Sequence, residues 1–248
     1  MELSNVLGKL DKIVAKNFVN TRGEPVKLAR YQNEIVKTIL KREKSRILVL
    51  ASTRVGKTES AVVASILAAL IYPGEEVVVV APRYEQAMGI FKRIRNNFWS
   101  NPDLLNMVDL TRGFRAQEIV LKNGSTLRFL NAGGKESLLS WGATFLIVDE
   151  FASISPEVLR TRVLRLTGGS GERRPITVLL GTPHNFDAVA DWVYDSDVRV
   201  FTITWKDGVE AGILNPQEVE YFKKKMSDEE FEIWFEAKLR SPTDAFFN

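Results

Sequence analysis

Residues 51–58 read Ala51-Ser52-Thr53-Arg54-Val55-Gly56-Lys57-Thr58, and a pair of adjacent carboxylates, Asp149-Glu150, stands further along the chain. The first string follows the apolar run Arg46-Ile47-Leu48-Val49-Leu50 and opens a helical pattern over 57–71. Such a loop between strand and helix suits phosphate, because its backbone N–H groups face an anion at a helix N-terminus, where the dipole favours negative charge. Ser52, Thr53, Val55 and Gly56 would line the phosphates, Lys57 would neutralise the β- and γ-phosphoryl groups, and the Thr58 hydroxyl would ligate Mg²⁺. Ala51 stands where the usual pattern begins with glycine. Gly-Lys-Thr alone arises by chance; the order strand, loop, helix makes it a nucleotide site.

Thr144-Phe145-Leu146-Ile147-Val148 is an apolar strand that ends on Asp149 and Glu150. In a parallel sheet, ligands sit at the carboxyl ends of the strands. Asp149 then faces the Mg²⁺ shell beside Thr58, and Glu150 is the group that orients and polarises the attacking water. Without a phosphate loop the same pair reads equally well as a solvated cap where a strand meets a loop.

Three weaker signals surround these two. Tyr31 and Gln32 lie ahead of the phosphate-loop strand, where an amide can pair with the adenine edge and a ring can pack on base or ribose. Gly181-Thr182-Pro183 ends the run Ile176-Thr177-Val178-Leu179-Leu180, where the Thr182 hydroxyl could sense loss of phosphate. Arginines cluster at Arg160, Arg162 and Arg165, at Arg173 and Arg174 after a Gly-rich stretch, and with Lys92 at Arg93 and Arg95. Charged faces of this kind are usually solvated; contact with DNA or a neighbouring subunit is the sharper alternative.

The elements that position these residues follow from the alternation of short apolar runs (47–50, 77–80, 145–148, 176–180, 198–203) with helical patterns (57–71, 84–98, 156–166). Nearly continuous apolar runs mark strands buried on both faces, so the expectation is a mainly parallel sheet flanked by helices. Glu118 to Leu130, broken at Lys122-Asn123-Gly124-Ser125, reads as an antiparallel hairpin on the sheet edge. A helical extension is expected over 1–30, the nucleotide-binding core over 31–210, and a helical, charged segment over 211–248. The aromatics of that last segment (Tyr221, Phe222, Phe231, Trp234, Phe235) suggest packing on the core or on another domain.

Composition narrows the chemistry. The 248 residues contain no cysteine and one histidine, which excludes disulfides and thiolate or multi-histidine zinc sites. A metal must be held by oxygen, which favours Mg²⁺. No apolar run approaches the roughly 20 residues that span a bilayer. The start carries acids and lacks the pattern of a signal peptide, so a cytoplasmic location is the default. The formal net charge of +3 permits nucleic-acid binding without demanding it. Scarce glutamine (Gln32, Gln86, Gln117, Gln217) hints at a thermophilic source.

Taken together, Ala29-Arg30-Tyr31-Gln32, the Arg-bearing phosphate loop, Ala81-Pro82-Arg83-Tyr84-Glu85-Gln86-Ala87, the Asn123-Gly124 hairpin, Asp149-Glu150 and Gly181-Thr182-Pro183 resemble the ATPase domain of the terminase large subunits of tailed viruses. The resemblance runs over about residues 28–247. It implies a phosphate-loop NTPase of the ASCE (RecA-like) type that hydrolyses ATP with Mg²⁺ and moves double-stranded DNA into a procapsid without sequence preference. It further implies a role for Arg54 at the γ-phosphate or the catalytic carboxylate, and coupling through Thr182. Expected partners are the portal protein, a small terminase subunit and copies of the chain itself. These copies would form a homo-oligomeric ring, expected as a pentamer, with a monomer as the alternative for the isolated chain. The expected location is the cytoplasm of the infected host cell and, transiently, the procapsid portal. Two features depart from the family: Trp141-Gly142 stands where many members carry Arg-Gly, and the nuclease half is missing from this sequence, so no DNA cleavage is expected. Two other readings are the first lobe of a DEAD/DEAH-like helicase or translocase, and a nucleotide-binding assembly module without turnover. Asp149-Glu150-Phe151-Ala152 differs from the helicase tetrad, and the module would need the loss of Lys57, Thr58, Asp149 or Glu150, all of which are present.

Overall fold

A computed structural model describes residues 2–112, 114–115, 117–134, 138, 141–169 and 174–240. The apolar runs form strands: β1 (Arg46–Ala51), β2 (Glu76–Ala81), β3 (Phe114–Arg115), β4 (Glu118–Val120), β5 (Thr126–Asn131), β6 (Phe145–Asp149), β7 (Ile176–Gly181) and β8 (Val198–Ile203). They make one sheet in the order β3-β4-β5-β2-β6-β7-β1-β8. β5, β2, β6, β7, β1 and β8 run parallel to one another, while β3–β4 and β4–β5 pair antiparallel. The expected hairpin is present, with Ile119 opposite Leu127. At its turn Gly124 adopts φ +86, a backbone that side chains resist.

Alternation along β2 divides the interior. Val77 and Val79 enter one apolar core and Val78 and Val80 the other, one on each face of the sheet. The first face is covered by α3 (Arg30–Lys41), α4 (Lys57–Ile71) and α5 (Tyr84–Ser100), with α6 (Pro102–Leu105) after them. The helix α4 is buried from Ser60 to Ala69, which is why it is rich in Ala, Val, Ile and Leu on all sides. Ahead of these elements, α1 (Leu3–Gly8) and α2 (Leu10–Asn17) send Val6, Leu10 and Val14 into the same core.

The other face differs from the sequence expectation. Residues 156–166 form no single α-helix; α7 (Pro156–Val158) passes into a π-turn over Leu159–Val163 and then a 3₁₀ stretch over Leu164–Gly169. Leu159, Val163 and Leu166 are all buried, so the segment keeps one apolar face toward the sheet through the change of helical pitch. After α8 (Ala190–Val193) and β8, the chain forms α9 (Trp205–Glu210), α10 (Pro216–Lys225) and α11 (Asp228–Trp234). Asn215 caps α10 ahead of Pro216, and Ser227 with Glu230 forms a capping box on α11. Val219, Phe231 and Phe235 give this segment its own small apolar cluster.

Candidate active site

The strand order places β7 between β6 and β1, so the chain ends leaving these three strands converge. The loop after β1 carries Lys57 and Thr58, β6 ends at Asp149, and β7 delivers Gly181-Thr182-Pro183. Lys57 Nζ lies 2.9 Å from Glu150 Oε1, and the Thr58 hydroxyl donates to Asp149 Oδ2 at 3.0 Å. Glu150 adopts a left-handed backbone at φ 53, which is costly for a side-chain-bearing residue and turns the chain sharply after β6. Four of the residues singled out by type and spacing therefore meet through side chains.

Asp149 is buried, and its Oδ1 has no hydrogen-bond partner. Burial, then repulsion from Glu150, pushes its carboxyl up to about 6, against the opposing pull of Lys57 and Thr58. A buried carboxylate oxygen without a partner costs free energy unless something supplies positive charge. With the Thr58 oxygen beside it, the donor set suits a hard divalent cation of the Mg²⁺ kind, which takes few protein ligands and fills its shell with water and phosphate. The pair opens on a cavity of about 580 Å³ that also reaches Asn20, Gln86 and Arg93.

The loop itself is held from three sides. Tyr31 donates its phenol proton to the Val55 carbonyl at 2.6 Å; burial, then Asp207, pushes that phenol up to about 12, so it stays a donor. Gln32 is buried, donates to the Gly56 carbonyl at 2.9 Å and accepts from Ala29 N–H at 2.8 Å. Gly56 has φ +74, and a Cβ there would stand 2.7 Å from Gln32 Nε2, so only glycine fits. Both residues assigned to the base thus also brace the phosphate loop, a role their positions in the sequence did not suggest. Buried Thr182 donates its hydroxyl to the Ala51 carbonyl at 3.0 Å, tying the β7 loop to the base of the phosphate loop. A Cβ on Gly181 would meet the Phe151 ring at 3.0 Å, so this glycine lets the residue after Glu150 pack against β7.

Ser52 is buried and its N–H donates to the Ile203 carbonyl at 2.8 Å, while Thr53 N–H donates to the Trp234 carbonyl at 2.9 Å. Arg54 is exposed, has φ 59 and borders a cavity of about 370 Å³ shared with Ile213, Phe222 and Trp234. No ion pair joins it to Asp149 or Glu150 among the described residues; Lys57 takes that place at Glu150.

Of the arginine clusters, Arg93 pairs with Glu59, whose carboxyl is raised by burial. Arg160, Arg162 and Arg165 are exposed, and none pairs with a carboxylate among the described residues. Arg173 lies outside the described residues, and Arg174 bonds Ser45 Oγ at 3.3 Å, ahead of β1. It is therefore about 20 Å, the length of that strand, from its own phosphate loop. Trp141 lies against the Arg128 guanidinium at 4.6 Å. No helix is long and apolar enough to cross a membrane among the described residues.

No protein-family profile matches the chain, and no curated protein matches it. Solved structures do. The large terminase of bacteriophage HK97 superposes with a TM-score of 0.76 at 16% identity, over 94% of this chain and 55% of that one. The large terminase ATPase domain of Thermus phage P74-26 gives 0.67 at 18%, over 83% and 93%. The large terminase of another thermophilic bacteriophage gives 0.60 at 13%, over 86% and 54%. This third protein has also been solved with ADP and with ATP-gamma-S. The chain spans about half the length of the first and third of these proteins and nearly all of the P74-26 domain. Its fold, an α/β RecA-like sheet with an antiparallel edge, is that of the ATPase domains of phage large terminases.

Proposed function

We propose that this chain is the ATP-hydrolysing motor domain of a machine that drives double-stranded viral DNA into a procapsid. The observation that carries the reading is the convergence of Lys57, Thr58, Asp149 and Glu150 at the carboxyl end of the sheet. Fold likeness to large terminases supports the biological setting, and the ADP and ATP-gamma-S complexes of the thermophilic-phage terminase support the choice of nucleotide.

In this reading Lys57 exchanges Glu150 for the β- and γ-phosphates when ATP binds. Glu150, released from its ion pair, accepts a hydrogen bond from water and orients it for attack. Thr58 and Asp149 would hold Mg²⁺, which neutralises charge on the phosphates. Tyr31 and Gln32 keep the Val55 and Gly56 carbonyls turned away from the phosphates, so that the loop N–H groups beyond Thr53 can face them; those of Ser52 and Thr53 are committed to the Ile203 and Trp234 carbonyls. Gln32 retains one amide hydrogen and one acceptor lone pair for the base. Thr182, bonded to Ala51, is placed to pass a change at the phosphate loop to the β7 loop. Arg54 remains the candidate for the γ-phosphate from within the subunit, and Arg173 with Arg174 the candidate from a neighbour in a ring. The partners in this setting are duplex DNA, a portal protein, a small terminase subunit and further copies of the chain, in the cytoplasm of an infected cell.

The test is Mg²⁺-dependent ATP hydrolysis by the purified chain, with and without duplex DNA and portal. Stimulation by duplex DNA of any sequence supports a translocating motor. Strand separation of a forked duplex would favour the helicase reading, and nucleotide binding with no turnover under any of these conditions the assembly module.

A further inference from the structure

The chain's single histidine stands immediately after the Gly181-Thr182-Pro183 turn and is exposed. Its ring stacks on the indole of Trp234, centroids 5.3 Å apart and planes 10° from parallel. On its other side His184 Nε2 lies 3.5 Å from the hydroxyl of Ser153, three residues beyond Glu150. Trp234 in turn offers its carbonyl to Thr53 N–H at 2.9 Å. Its neighbour Phe235 offers a carbonyl to Trp205 N–H at 2.8 Å, and the Phe231 and Phe235 rings stack beneath.

Three loops that the hydrolysis reading requires to act together are therefore joined outside the nucleotide site. The loop after Glu150 touches His184, His184 lies on Trp234, and the Trp234 backbone holds the phosphate loop at Thr53. Thr182 closes the circuit through the Ala51 carbonyl. Neither ring is needed to fill a core: Trp234 is 37% exposed, and His184 is exposed as well. A flat stack at the surface that fixes one backbone carbonyl on the phosphate loop is better explained by alignment than by stability.

We infer that His184 and Trp234 are positioning residues for hydrolysis: their stack holds the phosphate loop in register with the loops that follow Glu150 and Thr182. The inference rests on the nucleotide reading of the site but assigns residues outside it.

The test uses the full chain and four variants, His184→Ala, His184→Phe, Trp234→Ala and Trp234→Phe. Phenylalanine keeps a ring to stack, and alanine removes it. Melting temperature, the dissociation constant for ATP-gamma-S, kcat and KM are measured for each. The emission of Trp234, isolated as the difference between the unmodified chain and Trp234→Phe, is followed as ATP-gamma-S is added. The expected result is a fall in kcat of tenfold or more for His184→Ala, with KM and nucleotide affinity within about twofold and an unchanged melting temperature. His184→Phe and Trp234→Phe stay within about threefold of the original kcat. The nucleotide-dependent Trp234 signal is present in the unmodified chain and lost in His184→Ala. Normal turnover and an intact signal in His184→Ala overturn the inference even if Trp234→Ala fails to fold. Nucleotide binding without any Trp234 signal overturns it as well and leaves the site standing. No nucleotide binding by the unmodified chain removes the site reading itself, and the inference with it.

Discussion

Lys57 Nζ and Glu150 Oε1 form an ion pair at 2.9 Å, so the residue assigned to phosphate and the residue assigned to water are each other's partners. Under the proposed function, ATP draws Lys57 to its phosphates and away from Glu150. In that reading, phosphate replacing the carboxylate at Lys57 would offset the cost of separating the two charges and so link occupancy of the site to release of Glu150.

The pair sets opposite expectations for its two members. Lys57→Ala removes the cation from the phosphates and should abolish detectable nucleotide binding. Glu150→Gln removes the competing carboxylate, so ATP-gamma-S should bind at least as tightly as to the unmodified chain, by calorimetry or fluorescence titration. Weaker binding in Glu150→Gln would mean that Glu150 supports the phosphates directly.

Asp149→Asn should raise stability and remove Mg²⁺-dependent turnover. Its carboxyl, pushed from an ordinary 3.8 up to about 6, keeps its proton in the fold at pH values where the unfolded chain has lost it. The stability it contributes is complete below 3.8, declines as pH rises, and is lost above about 6. The variant's advantage in unfolding free energy should therefore be small near about pH 4, widen toward about pH 7 and amount to at most about 3 kcal/mol, read from denaturant unfolding at each pH. A constant gap across this range would show that burial of the charge is not its source.

Much of this site was legible because its parts are local. The phosphate loop needs eight consecutive residues in one order, and Asp149-Glu150 follows a strand whose apolar run is unmistakable. The parallel sheet followed from the runs at 47–50, 77–80, 145–148 and 176–180, and the hairpin from Asn123-Gly124. The left-handed turn at Glu150 was not legible, because nothing in Glu150-Phe151 demands it; Gly181 permits it by admitting the Phe151 ring. The changing pitch over 156–169 escaped because Leu159, Val163 and Leu166 stand at the spacing of an ordinary amphipathic helix, so the sequence pattern carries no trace of it. Contact between Trp234 and Thr53 runs through a backbone carbonyl and leaves no side-chain signature.

Gln32 offers a sharper distinction than base preference alone. With Gly56 and Ala29 as its amide partners, Gln32→Ala should loosen the phosphate loop and weaken GTP by roughly tenfold for two lost hydrogen bonds, and ATP by more, because the amide hydrogen and lone pair left for the base go as well. Loss confined to ATP, measured by competition against a labelled nucleotide, would place the amide on the adenine edge instead.

Duplex DNA should bind weakly, without sequence preference and with a steep dependence on salt, the behaviour of phosphate contacts made by Lys and Arg. Removing Arg162 and Arg165, exposed and without carboxylate partners among the described residues, should lower the salt slope by about two. No cleavage of DNA is expected with Mg²⁺ or Mn²⁺. Nicking that survives Glu150→Gln would reveal a second metal site.

Whether this chain is an ATPase is decided by steady-state ATP hydrolysis with and without Mg²⁺, by the unmodified chain and Glu150→Gln across a range of protein concentrations. Turnover by the unmodified chain should depend on Mg²⁺ and rise with concentration as neighbours complete each other's sites, and Glu150→Gln should lose roughly a hundredfold or more while still binding ATP. Turnover in Glu150→Gln equal to that of the unmodified chain would contradict the assignment of Glu150.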